Sequence, residues 1–181
     1  MCIRDRRCFD DGNVVHVDGS VDPIRDKEVI DMELQLKDLE TVQARATKIK
    51  KAAQTGDKDA AKSYSFYEKV LAALESGQSA RSVELDDSEL VMIKELQLLT
   101  SKPVLYVCNV DEGSVVSGNA YVEQVRQAAE AEGASIMVIG AAIEADIAEL
   151  DTHEERAMFL EDLGLEAVSY THLTLPTILL V

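Results

Sequence analysis

The sequence predicts an α/β fold, a parallel sheet interrupted by an inserted antiparallel helical hairpin. Three observations carry this. Val104-Leu105-Tyr106-Val107-Cys108 runs without a charge and then breaks into Asn109, Val110, Asp111, Glu112 and Gly113, which marks a short buried strand ending in a turn. A second such run, Ser135 to Ile139, follows a stretch with helical spacing, so the two form a strand-helix-strand unit expected to be parallel and right-handed. Between Asp22 and Gly77, two long stretches with apolar residues three and four apart are joined by Thr55-Gly56-Asp57, which predicts two helices packed side by side.

Residues 7 to 21 hold the remainder of a strand and a loop, with Asp10-Asp11-Gly12 as a turn and His16 inside the alternating Val14-Val15-His16-Val17. Asp22 caps the first long helix and Pro23 fills its first position at no cost in hydrogen bonds. Val29, Met32, Leu36, Leu39 and Ala46 form its apolar stripe, interrupted by Gln43, up to about Gln54. Ala60, Tyr64, Tyr67, Leu71 and Leu74 repeat the spacing on the second helix. Asp86 three residues before Glu89 is a capping arrangement ahead of Leu90, Ile93 and Leu96. Asn119 caps a helix bearing Val122, Val125 and Ala129, which Gly133 stops. Asp151 and Glu154 offer a last capping pair before Phe159, Leu160 and Leu163.

In a parallel sheet, ligands bind beyond the carboxyl ends of the strands, so Asn109 and Glu112 stand where a ligand would sit. Gly140-Ala141-Ala142-Ile143 follows the next strand, and small residues there let a backbone approach a ligand closely. Each of these loops also reads as an ordinary turn.

Composition narrows the function classes. Of 181 residues, 46% are apolar and only 4% aromatic, enough for one core packed by aliphatic side chains. The net charge of −16 argues against broad contact with DNA or any nucleic-acid backbone, whose affinity comes from Lys and Arg. Any such contact needs a local basic patch, and Lys48-Ile49-Lys50-Lys51 is the densest one. Three scattered cysteines form neither a disulfide framework nor a metal site, which fits a reduced cytoplasmic compartment. No secretory signal or membrane span is expected, since Ile178-Leu179-Leu180-Val181 is far too short to span a bilayer.

From about Arg7 to Leu165 the chain resembles the YchF family of Obg-like ATPases. The resemblance is carried by Arg7-Cys8-Phe9, Val14 to Val17, Val21 to Asp26, Leu98-Leu99-Thr100 before Lys102-Pro103, and Ala141 to Leu150. It implies a partial nucleotide-binding domain of the Obg type, one form of the P-loop NTPase fold, made of residues 7–21 and 99–168, with an inserted helical hairpin at 22–98 that has coiled-coil character. Asn109, Val110 and Glu112 stand where related hydrolases have the base-reading Asn-Lys-x-Asp. Ala141, Ala142 and Ile143 stand where backbone amides contact the base. The family lacks the usual catalytic Gln, and His16 matches the residue that would orient the attacking water, a task suited to imidazole.

Replacing Asp by the longer Glu112, and Lys by Val110, removes a guanine clamp and leaves the Asn, whose amide can pair with the edge of adenine. The expected ligand of the intact protein is therefore Mg²⁺-ATP, with GTP left open, and the expected partner is the ribosome or one of its subunits. No Gly-x-x-x-x-Gly-Lys-[Ser/Thr] occurs in the chain, nor does the TGS domain that the resemblance leads one to expect. The resemblance thus implies a fragment that hydrolyses nothing alone and binds no cofactor tightly. The alternative is a helical-hairpin interaction module with a vestigial nucleotide site. Residues 1–6 and 169–181 depart from the family, look like translated adapter sequence, and are expected to lie outside the native fold.

Overall fold

The computed structural model describes residues 1–11 and 19–162. A three-stranded parallel sheet has the order β1 (Cys2–Arg7), β2 (Val104–Asn109), β3 (Ser135–Ile139). The register follows from the backbone: Cys2 N donates to Pro103 O and Cys8 N to Asn109 O, both at 2.8 Å, and Val110 N donates to Ile139 O at 2.9 Å. The central strand is buried on both faces, with Val104, Leu105, Tyr106 and Cys108 all under one-tenth exposed, as its uninterrupted apolar sequence requires.

Two compact units are distinguished. The first joins Met1–Ile3 to Arg25–Leu105, and the second comprises the described residues of Arg4–Ile24 and Tyr106–Val181. In the first unit, α1 (Pro23–Gln54) and α2 (Lys58–Glu75) meet at the Thr55-Gly56-Asp57 turn. Gly56 adopts φ +99°, which an L side chain rarely tolerates, and Asp57 accepts the Asp59 and Ala60 amides to start α2. Gln35 Nε2 donates to Gly77 O at 3.0 Å, which places the middle of α1 beside the end of α2 and makes the pair antiparallel. A 3-10 turn and α3 (Asp87–Leu96) complete the unit. The capping box between Asp86 and Glu89 is formed in full.

The core of this unit is Val42 and Ala46 from α1, Phe66, Val70, Leu71 and Leu74 from α2, and Ile93 and Leu96 from α3. That corrects the expected stripe on α1. Val29, Met32 and Leu36 are half or more exposed, while Lys27, Asp38, Val42 and Ala46 form the buried face. The polar members of that face are held by partners. Lys27 Nζ pairs with Asp31 at 2.7 Å. Asp38 accepts from Leu99 N at 2.8 Å, and from Thr100 N and Thr100 Oγ1 at 2.7 Å each.

The second unit packs α4 (Ala120–Ala131) through Val122, Val125 and Ala129, followed by α5 (Ala141–Glu149) and α6 (His153–Asp162). Asn119 uses both ends of its amide. Oδ1 accepts Val122 N at 3.0 Å, while Nδ2 donates to Cys8 O at 2.6 Å. The last cap falls one residue later than expected: Thr152 and Glu155, not Asp151 and Glu154, exchange the capping hydrogen bonds.

Residues 1–6 are incorporated in the sheet rather than left outside it. Backbone pairing with β2 is indifferent to side-chain type, so the strand forms, but it buries Arg4 and Arg6 at 5% and 8% exposure. Both guanidinium carbons sit 5.9 Å from the centre of the Tyr106 ring. Arg6 Nε and Nη2 find no hydrogen-bond partner among the described residues. No described helix is long and apolar enough to cross a membrane.

Candidate functional site

The carboxyl ends of β2 and β3 define the site. Asn109 is the last residue of β2, and its Oδ1 accepts the backbone N–H of Ala141 at 3.0 Å. Ala141 is the first residue of α5, so the bond ties the strand tip to one of the free amides that open a helix. With Oδ1 so engaged, the orientation of the amide is set. Asn109 Nδ2 makes no hydrogen bond within the described residues and is left as a donor.

After β2 the chain turns through a short 3-10 segment, Glu112–Ser114. Ser114 closes it by donating its N–H to Asp111 O at 3.0 Å and its hydroxyl to Asp111 Oδ2 at 3.1 Å. Glu112 is fully on the exposed side of this turn. Val115 then lies against Gly140, where a Cβ would sit 2.7 Å from Val115 Cγ2. That distance is shorter than real Cβ contacts allow, so the loop after β2 and the end of β3 fit together only because residue 140 has no side chain. At Gly140 the space is therefore filled by the protein itself.

The structure brings Asn109 and Ala141 into direct contact and leaves Glu112, Ala141 and Ala142 exposed. It does not expose every expected residue. Val110 is only 3% and Ile143 only 5% exposed, so their side chains belong to the core. His16 lies outside the described residues. Among those described, no group of three or more His, Cys, Asp or Glu side chains is placed to hold a metal ion. The described residues do not build a Mg²⁺ site.

Beneath the strand tips, Cys8 and Cys108 are fully buried, unoxidised and hydrogen-bonded to each other. The bond to Cys108, reinforced by burial, raises the Cys8 pKa well above the ordinary thiol range and keeps its proton in place. At the start of α4, Tyr121 donates to Asp10 Oδ2 at 2.9 Å, and that carboxylate raises the phenol pKa.

The chain is similar to known proteins. The chain is 48% identical over 162 residues to the ribosome-binding ATPase YchF of Bacillus subtilis (strain 168), covering 88% of this chain and 44% of the relative. It is 44% identical over 160 residues to the protein of the same name from Escherichia coli O157:H7, with the same coverage. The chain belongs to the YchF family. A solved structure, the YchF GTPase of Schizosaccharomyces pombe, superposes with a TM-score of 0.81 at 29% identity, over 98% of this chain and 47% of that one. The fold is accordingly that of an Obg-type P-loop GTPase. No family model matches the chain. The chain spans less than half the length of the curated relatives it matches.

Proposed function

We propose that this chain carries the base-recognition side of the nucleotide site of a ribosome-associated YchF-type ATPase. The observation that supports the reading is the Asn109–Ala141 hydrogen bond at 3.0 Å, which leaves one amide donor at the mouth of the site. A purine N7 is an acceptor of matching polarity. Because N7 is common to both purines, Asn109 supplies affinity and discrimination falls to Glu112. A carboxylate at the reach of Asp accepts from the ring N–H and amine of guanine. Glu112, one methylene longer on an exposed turn, is misplaced for that clamp, so the site favours adenine.

The backbone at Ala141 and Ala142 borders the base, and His16 orients the attacking water. The phosphate-binding loop, absent from this sequence, would supply phosphate positioning and the Mg²⁺ that accompanies ATP. The 181-residue chain alone therefore releases no phosphate from Mg²⁺-ATP above background.

The test joins this chain to the N-terminal segment of a close relative and compares ATP with GTP binding. The parent should prefer ATP, and Glu112→Asp should move the ratio towards GTP by about ten- to a hundredfold, the value of 1–3 kcal/mol of base hydrogen bonding. A parent that already prefers GTP tenfold, or a ratio that Glu112→Asp leaves untouched, overturns the reading.

A further inference from the structure

Cys8, the residue just after β1, is held on both sides of its backbone. Its N–H donates to Asn109 O at 2.8 Å, and its carbonyl accepts from Asn119 Nδ2 at 2.6 Å. The first partner ends β2 and the second caps α4. The residues that follow are held as well. Tyr121, on the first turn of α4, donates its hydroxyl to Asp10 Oδ2 at 2.9 Å. Arg7 donates through Nε to Phe9 O at 3.0 Å and through Nη2 to Asp11 O at 3.3 Å, and its guanidinium lies 4.9 Å from the centre of the Phe9 ring. Each residue from Cys8 to Asp11 is thus fixed from β1, β2 or α4, and His16 follows five residues later in the sequence.

The needs of the helix start do not account for these contacts. Asn119 caps α4 with Oδ1, which accepts Val122 N at 3.0 Å. An Asp would cap as well, but it has no donor to offer the Cys8 carbonyl. Tyr121 is half-buried and Asp10 exposed, so water can replace their bond and its net effect on global stability is small. Its effect on direction is larger, because tying a loop to a helix narrows the conformations open to the chain beyond it. The same helix is joined to Glu112 through residues 113–118, a stretch pinned by Gly118 N donating to Ser114 O at 2.8 Å. The start of α4 therefore ties together two loops, the one bearing Glu112 and the one that leads to His16.

We propose that Asn119 and Tyr121 are positioning residues: from the start of α4 they hold residues 8–11 and so aim His16 relative to the base-reading loop. This rests on the reading that His16 orients the attacking water, and adds what aims it. Orientation of this kind is exacting, since a displacement of about 1 Å can cost about a hundredfold in rate. Tyr121 is assigned no contact with the nucleotide, so its loss should lower kcat and leave KM alone.

The experiment has two arms. In the full chain, NMR follows the His16 imidazole protons, assigned by their loss in His16→Gln. Tyr121→Phe and Asp10→Ala should each shift these signals, whereas Asp10→Asn, which keeps an oxygen acceptor, should leave them near the parent's. In the protein completed with the N-terminal segment of a close relative, ATP hydrolysis is measured. His16→Gln should lower kcat by about a hundredfold and Tyr121→Phe by about tenfold, both with KM unchanged, and Asp10→Asn should retain most of the rate. His16 signals that ignore Tyr121→Phe, or a Tyr121→Phe loss that appears in KM and not in kcat, overturn the positioning role and leave the reading of His16 standing. A loss in Asp10→Asn as large as in Asp10→Ala overturns the Tyr121–Asp10 bond as the link. A kcat untouched by His16→Gln overturns the reading of His16 itself, and the positioning role with it.

Discussion

Asn109, at the end of β2, and Ala141, at the start of α5, are joined by one hydrogen bond of 3.0 Å from the Ala141 amide to the Asn109 side chain. The acceptor that completes the start of α5 also fixes which way the remaining amide donor faces.

Asn109→Ala should therefore have two effects. In the protein completed with a phosphate-binding segment, nucleotide affinity should fall by about ten- to a hundredfold for ATP and GTP alike, since N7 is shared. In the chain alone, the Ala141 amide should exchange faster with deuterium. A loss confined to one nucleotide would mean that Asn109 pairs with the exocyclic group instead.

Gly140→Ala should destabilise the chain by about 1–3 kcal/mol, the usual cost of overpacking, because the new methyl would meet Val115 Cγ2 at 2.7 Å. Gly140 has φ −111°, which any residue adopts, so the penalty is steric and local. Val115→Ala in the same chain should recover most of it. Denaturant midpoints of the two single variants and the double variant close the cycle, and additive losses would show that the two side chains do not meet.

Asp38→Ala should cost about 3 kcal/mol or more, because it strips the acceptor from two backbone amides and a hydroxyl in a buried setting. Asp38→Asn should recover only part of this, since one of its two side-chain ends can no longer accept. Urea titration followed by helical signal measures both.

Arg6→Val should stabilise the chain by about 1–3 kcal/mol. It removes buried guanidinium nitrogens that lack partners and supplies a β-branched side chain suited to a strand. An unchanged or lowered denaturation midpoint would show that the stacking on Tyr106 compensates for the missing hydrogen bonds.

The capping box of α3 should loosen in acid. Asp86 is held below its ordinary value by the Ser88 hydroxyl and the Glu89 amide, and Glu89 by the Asp86 amide and then Lys69. A carboxylate with a depressed folded-state pKa stabilises at neutral pH and loses that contribution as pH falls through the folded-state value. Protection of the Ser88 and Glu89 amides should thus be unchanged between pH 5 and pH 8 and be lost only as pH falls below the ordinary carboxylate range.

Strand tips and helix caps were legible in the chain because their signals are local. The charge-free run before Asn109, the Gly56 turn, and the Asp57, Asp86 and Asn119 caps all follow from adjacent residues. The buried face of α1 was not legible. A search for apolar periodicity selects Val29, Met32 and Leu36, whereas the structure buries Lys27 and Asp38 in phase with Val42 and Ala46. The partners that make a buried Asp38 tolerable lie 61 and 62 residues away, beyond the reach of any local pattern. At the candidate site, the positions of Asn109 and Ala141 were legible, but the burial of Val110 and the Val115–Gly140 fit depend on how two loops meet.

The carboxylate of Asp38 also makes the length of the hairpin a free variable. By gripping Leu99 and Thr100 it shuts the base of a long excursion of chain, and everything beyond that point is a closed loop with its own core. The entropy of closing a loop rises by only about 0.6 kcal/mol for each doubling of its length. One heptad added to each helix would carry the tip about 10 Å further out while the base stayed gripped as before. Reach towards a distant surface can thus drift in evolution, or be set by design, independently of the chemistry at the strand tips.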